Sequence, residues 1–167
     1  SRSKDVAHIS GTNFSSWYNQ SEGTLLYDFN TKVTGGVQFL SPASIRESTS
    51  NNSFTPAWGF WMYSGGGQQR TPLAGRTGQN GVQLVNSSYV TEANKDWKVA
   101  VAISGDSVYG VLEGYTVQTR TITPLSNQNV LVLGYINTSN QYYSGHISRL
   151  TYYDRRLSNA EMEAITS

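Results

Sequence analysis

The side chains best able to do acid–base chemistry in this 167-residue sequence are its eleven carboxylates, and their spacing argues against that use. Hydrolysis of a glycosidic bond needs two carboxyl groups roughly 5–10 Å apart across the bond. Glu22, Asp28 and Glu113 are isolated in sequence, and the only acidic pair two residues apart is Glu161 and Glu163. That pair falls on a segment with helical spacing, where residues two apart face different ways. Glu22, directly before Gly23, reads as a loop hydrogen-bond acceptor. His8 and His146 lie far apart with no cluster of ligand residues beside them, so neither zinc nor a Ser-His-Asp site is expected. His146 reads as a packed, hydrogen-bonded residue. Cysteine is absent, which excludes disulfides, thiol catalysis and Cys-bound zinc. Calcium needs several oxygen ligands, and Asp96, Asp106 and Asp154 are lone loop carboxylates, so the sequence gives no support for calcium or any other cofactor. Gly65-Gly66-Gly67 follows a strand rather than opening a helix, so it is no phosphate cradle. Catalytic residues: none expected.

The chemistry that remains is recognition. The chain has eleven Tyr, five Phe and four Trp. Aromatic rings stack on the apolar faces of sugars, while Asn, Gln and Arg take hydroxyls. Along Trp58–Tyr63, Trp58, Phe60 and Met62 share the more apolar face and are assigned to the core. Trp61 and Tyr63 then line the other face, unless that face is covered too. Tyr135, Tyr142 and Tyr143, with Asn137 and Asn140, form a polar-aromatic loop cluster, a surface that is rigid and amphipathic; ordinary loop capping is the alternative. Arg70 and Arg76 lie in a glycine-rich stretch, placed to meet acidic sugars or simply solvated. The expected carbohydrate-binding residues are therefore Trp61, Tyr63, Arg70, Arg76, Tyr135, Asn137, Tyr142 and Tyr143. Trp17, Tyr18 and Trp97 read as structural.

These residues need elements to hold them. Gly23–Asn30 alternates, with Leu25, Tyr27 and Phe29 on one side and Leu26, Asp28 and Asn30 on the other. Trp97–Ile103 alternates more strictly, turns at Ser104–Ser107 and returns through Val108–Leu112 as a hairpin. Further strands are expected at Val6–Ile9, Val37–Leu40, Trp58–Tyr63, Val82–Val85, Tyr115–Thr119, Val130–Ile136 and Gly145–Tyr153. Residues 13–23 read as an ordered loop, 41–56 as a long loop with a short strand at Ser44–Arg46, and 68–80 as loop. One helix is expected, over 157–165. Ser158 is its N-cap, Glu161 completes a capping box, and Leu157 staples onto Met162. About ten strands and one helix indicate an all-β, two-sheet antiparallel sandwich.

Net charge is +1, and Arg155-Arg156 is the only adjacent basic pair. Nucleic-acid binding needs a basic stripe, so nucleic acid is not an expected partner. No apolar run approaches the ~20 residues that span a bilayer, so membrane insertion is not expected. The length suits a single domain over residues 1–167, and the Ser-Arg-Ser start reads as part of a longer chain.

Two stretches carry a resemblance. They are Asp5-Val-Ala-His-Ile with Asn13-Phe-Ser-Ser-Trp-Tyr-Asn-Gln-Ser-Glu-Gly-Thr24, and Gly145-His-Ile-Ser-Arg-Leu-Thr-Tyr-Tyr-Asp-Arg-Arg-Leu-Ser-Asn-Ala-Glu161. With Trp97-Lys-Val-Ala-Val-Ala, they resemble the concanavalin A-like lectin/glucanase (laminin-G-like) domains of bacteriophage tail fibre, tailspike and other virion proteins. The resemblance implies a jelly-roll sandwich, an extracellular place on the virion (phage tail or surface), and adhesion to host cell-surface polysaccharide. It also implies neighbouring domains of a parent protein as partners, with a homotrimer as an assembly alternative. Glucanases of this fold carry a Glu-x-Asp-x-x-Glu arrangement, which this sequence lacks. Residues 41–80 match nothing in the family, and any specificity is expected there and at Tyr135–Tyr143.

Overall fold

Alternation is strictest where the fold has its centre. In a computed structural model of the chain, β2 (Glu22–Thr31) and β8 (Asp96–Ser104) pair antiparallel, from Glu22 opposite Ser104 to Asn30 opposite Asp96. The structure describes residues 7–31, 39–47, 57–64, 70–76, 82–83, 94–125, 127–137, 141–143 and 145–167. Leu25, Tyr27 and Phe29 on β2 and Trp97, Val99, Val101 and Ile103 on β8 all join the main core. β9 (Ser107–Leu112), β10 (Gln118–Thr121) and β14 (Gly145–Tyr153) complete a five-stranded sheet in the order β10-β9-β8-β2-β14.

The second sheet contains β1 (Ala7–Ser10), β4 (Ala43–Arg46), β5 (Ala57–Ser64), β6 (Arg70–Arg76), β7 (Val82–Gln83) and β11 (Val130–Leu133). Its order is β1-β11-β4-β5-β6-β7, and β3 (Phe39–Leu40) also pairs with β5. Ala43, Ile45, Trp58, Phe60, Met62 and Leu131 face the first sheet and close the core, with Phe29 and Phe60 rings 5.3 Å apart. This is the expected all-β sandwich of two antiparallel sheets. β12 (Tyr135–Asn137) and β13 (Gln141–Tyr142) form a separate hairpin.

Gly59 shows how tightly the layers fit. The Tyr27 hydroxyl crosses the core to donate to the Ala43 carbonyl at 3.2 Å. A Cβ at Gly59 would stand 3.0 Å from that hydroxyl and 2.9 Å from the carbonyl oxygen, and Gly59 has φ 153°. Only glycine takes that backbone without strain.

The five-stranded sheet has a second cover. Leu26, Ala100, Ala102 and Val111 on its outer face bury Leu157 and Met162 of the C-terminal segment. Here α2 (Asn159–Thr166) begins with the expected capping box: Glu161 N donates to Ser158 Oγ, and Ser158 N donates to Glu161 Oε2 at 2.7 Å. Each closes an orphan N–H of the first turn.

Four expectations change. Residues 13–23 are not all loop: α1 (Thr12–Ser15) is a single helical turn that buries Phe14. Residues 70–76 are strand, not loop. Pairing from Arg70 opposite Ser64 to Arg76 opposite Trp58 overrides the turn-like composition, and among the described residues β7 pairs with Leu73 and Ala74 and not with Pro72. The expected strand at 130–136 breaks at Gly134, whose φ of 76° turns the chain out of the sheet. The strand expected at 115–119 starts later, at Gln118, because Glu113–Tyr115 form an exposed turn. Fourteen strands and two helices lie among the described residues, against about ten and one expected. Val6, Val37–Gln38 and Leu84–Val85, ends of expected strands, lie outside the described residues.

Candidate functional site

The expected binding residues do not form one site: the backbone gathers most of them at one end of the sandwich, Arg76 lies far down its strand, and Trp61 sits on a closed sheet face. In the β12–β13 hairpin, Tyr135 stands opposite Tyr142 and Asn137 opposite Gln141. The hairpin lies against β3, and β3 places Phe39 opposite Tyr63 on β5. The backbone thus gathers Tyr135, Asn137, Tyr142 and Tyr63 at one end, with Arg70 opposite Ser64 one step along. Arg76 is not brought there. It pairs with Trp58, six residues down the strand, a separation of about 20 Å at the usual strand rise. Asn140 lies outside the described residues.

Tyr143 fastens this end. Its hydroxyl donates to the Asn30 carbonyl at 2.6 Å, its N–H donates to Gly134 O at 2.8 Å, and its ring meets Phe29 edge-on at 6.2 Å. Burial pushes its phenol pKa well above the ordinary value.

Trp61 sits on the face turned away from the core, as its alternation requires, but that face is closed there. Trp61 is 4% exposed and packs with Ala57. Among the described residues its indole N–H, buried, has no hydrogen-bond partner. Ser44, Arg46, Val130 and Val132 share this face by register and are buried as well, with Arg46 Nε donating to Ser44 Oγ at 2.7 Å. Of the two readings left open for Trp61, the covered face is the one observed.

At the opposite end a cleft of about 680 Å³ opens between the start of β2, the β8–β9 turn and the segment before β11. Gln20, Ser21 and Glu22 form one wall, and Ser104, Leu125 and Asn127 stand across from them. The walls are tied down. The Gln20 amide exchanges two hydrogen bonds with the Gln128 backbone. Gly105 N donates to Ser21 O at 3.2 Å, and Ser21 N to Asn19 Oδ1 at 3.0 Å. Glu22 is a hydrogen-bond acceptor as expected: its Oε2 takes the Arg156 N–H at 3.1 Å. Behind this wall Phe14, Trp17, Tyr18 and Tyr152 form an aromatic cluster, with Phe14 4.6 Å from Tyr18 and Trp17 4.9 Å from Tyr152. Trp58 Nε1 donates to the Tyr18 hydroxyl, and burial drives the Tyr18 phenol pKa far up. Trp17 and Tyr18 are structural, as read.

The sequence reading missed this cleft. Its one local signal is the polar run Gln20-Ser21-Glu22; the facing residues stand about eighty to a hundred positions away, and no spacing rule links them.

Other chemistry is placed plainly. Glu161 bonds Arg155 at 2.8 Å, while Glu163 accepts the Val117 N–H at 2.9 Å, so the acidic pair diverges. His146 is exposed rather than packed, because it lies at the outer end of edge strand β14. Among the described residues no three His, Cys, Asp or Glu side chains stand close enough to hold a metal ion. No helix among them is long and apolar enough to cross a membrane.

No family model and no curated protein sequence matches the chain. Solved structures do. A Trypanosoma rangeli sialidase matches 88% of this chain at TM-score 0.65 and 12% identity, over 22% of its own length. A NanB structure with optactamide matches 96% at TM-score 0.65 and 14% identity, over 26% of its length. The CBM40 domain of Ruminococcus gnavus IT-sialidase matches 98% at TM-score 0.64 and 16% identity, over 97% of its own length. That domain has also been solved bound to α2,3-sialyllactose. At these identities the likeness is one of fold: a β-sandwich of two antiparallel sheets.

Proposed function

We propose that this chain is a non-catalytic carbohydrate-binding module. One observation carries the reading: the fold is that of the Ruminococcus gnavus CBM40 domain end to end, whereas the chain spans only about a quarter or less of the sialidases it resembles. A fold does not dictate function. The site chemistry supports the reading from its own side, since the described acidic residues of the cleft and of α2 are engaged in structural hydrogen bonds. Placement on a phage tail or other virion surface, outside the cell, with host polysaccharide as ligand and neighbouring domains or a homotrimer as partners, is supported by the sequence resemblance of the two chain ends.

Binding of the intact chain to a broad array of bacterial and animal glycans tests the reading. Saturable binding without release of cleaved sugar is expected. A flat array overturns it, and turnover of the bound glycan overturns its non-catalytic half.

A further inference from the structure

The cleft between Gln20–Glu22 and Leu125–Asn127 is no part of the expected site, and its chemistry is specific. We propose that it is a sugar subsite for neutral glycans, one that rejects sialylated sugars such as the α2,3-sialyllactose bound by the Ruminococcus gnavus CBM40 domain. The proposal rests on the carbohydrate-binding reading and names its ligand class.

Its volume of about 680 Å³ falls within the roughly 300–1,000 Å³ of small-molecule pockets. Its walls are preorganised by backbone-directed hydrogen bonds from Gln20 and Ser21, so little ordering remains for a ligand to impose. Asn127 holds φ 64°, one of two non-glycine residues with positive φ among those described, and such outliers gather at ligand clamps. Leu125 supplies an apolar patch for the C–H face of a ring, while Ser21, Ser104, Asn127 and Glu22 supply donors and acceptors for hydroxyls.

Charge sets the class. Among the described residues, the single charged side chain lining the cleft is the Glu22 carboxylate. One of its oxygens takes the Arg156 N–H, and a carboxylate accepts several hydrogen bonds, leaving capacity for hydroxyls. The nearby Arg156 guanidinium is turned away, lying 3.9 Å from the Tyr109 ring centre and bonded to Asn159. Asp106, next in sequence to the lining Gly105, is exposed and adds negative charge to that turn. Among the described lining residues a sialic acid carboxylate would meet only like charge, and the Arg155 guanidinium, close enough to interact with Glu22, is engaged by Glu161 at 2.8 Å.

The test is an amide-resolved NMR titration of the intact chain with lactose, maltotriose, mannotriose and α2,3-sialyllactose. At least one neutral sugar is expected to shift the Ser21, Ser104, Gly105 and Asn127 amides, with sialyllactose leaving them unmoved. Glu22→Gln keeps an acceptor for Arg156 but removes the charge, and is expected to weaken the neutral sugar about tenfold. Asn127→Gly keeps the backbone conformation, removes the amide, and carries the test should Glu22→Gln fail to fold. Sialyllactose shifting the cleft, or a neutral sugar shifting only other residues with both variants binding normally, overturns the subsite and leaves carbohydrate binding standing. No shift with any of the four sugars, together with a flat array, overturns both.

Discussion

At the residue scale, Glu161 is the group whose ionisation matters most plainly. The Arg155 side chain first, then the Ser158 backbone and hydroxyl, hold its pKa down from 4.5 to about 2. A carboxylate with a depressed folded pKa contributes stability above its unfolded value and loses it as pH falls through the folded one. The urea midpoint should therefore fall between pH 4.5 and 2 in the native chain. In Glu161→Gln, which keeps the capping oxygen, that part of the slope should vanish and the two curves should converge near pH 2. Parallel curves would show that Glu161 is uncoupled from folding. Tyr27 and Gly59 make a second residue-scale case. Gly59→Ala places a methyl 3.0 Å from the Tyr27 hydroxyl at φ 153°, and is expected to cost about 1–3 kcal/mol. Tyr27→Phe removes the hydroxyl and leaves the Ala43 oxygen as the nearest obstacle. The alanine should therefore cost measurably less in that background, and a double-mutant cycle by urea denaturation measures the difference.

At the element scale, α2 acts as the second lid of the five-stranded sheet. Met162 is fully buried against Leu26, Ala100, Ala102 and Val111. Met162→Ala should destabilise by about 2–5 kcal/mol, the usual range for emptying a buried site of this size. Chemical denaturation checks it; a change below about 0.5 kcal/mol, typical of surface positions, would mean the helix frays without consequence. This element was legible because its signals are local: Ser158, Glu161 and the Leu157–Met162 spacing all fall within six residues. β2 and β8 were legible for the same reason, since strict alternation needs no knowledge of a partner. β6 was not, because Pro72, Gly75 and its glycine-rich surroundings read as turn while its strand state comes from β5, a neighbour that the local pattern does not reveal. Half of the expected site shares that difficulty. The gathering of Tyr63 with Tyr135 and Tyr142 depends on β3, two residues long. Arg70 and Arg76 were read together as loop residues, and pairing with β5 instead sets them six residues apart along a strand.

At the scale of the whole molecule, the sandwich leaves few places for a ligand. The outer face of the five-stranded sheet is partly under α2, and the outer face of the second sheet is closed at Ser44, Arg46, Ala57, Trp61, Val130 and Val132. What remains open among the described residues is the edge strands β1, β10 and β14 and the ends, where strands hand over to turns. This separates two roles an aromatic residue can play. A stacking platform must expose a ring face, and Trp61, at 4% exposure, does not. Its indole N–H, buried and unpartnered among the described residues, also carries a desolvation cost that a phenyl ring would not. Trp61→Phe gives up part of the packing and relieves that cost, so stability should change by about 1 kcal/mol or less in either direction. If the glycan binds at the ends, as proposed, its affinity should stay within about twofold, because distant sites with no shared partners act independently. Urea denaturation and the same NMR titration read both quantities. A folded Trp61→Phe chain that has lost its glycan would place the ligand on the sheet face after all, with Trp61 uncovered when it binds.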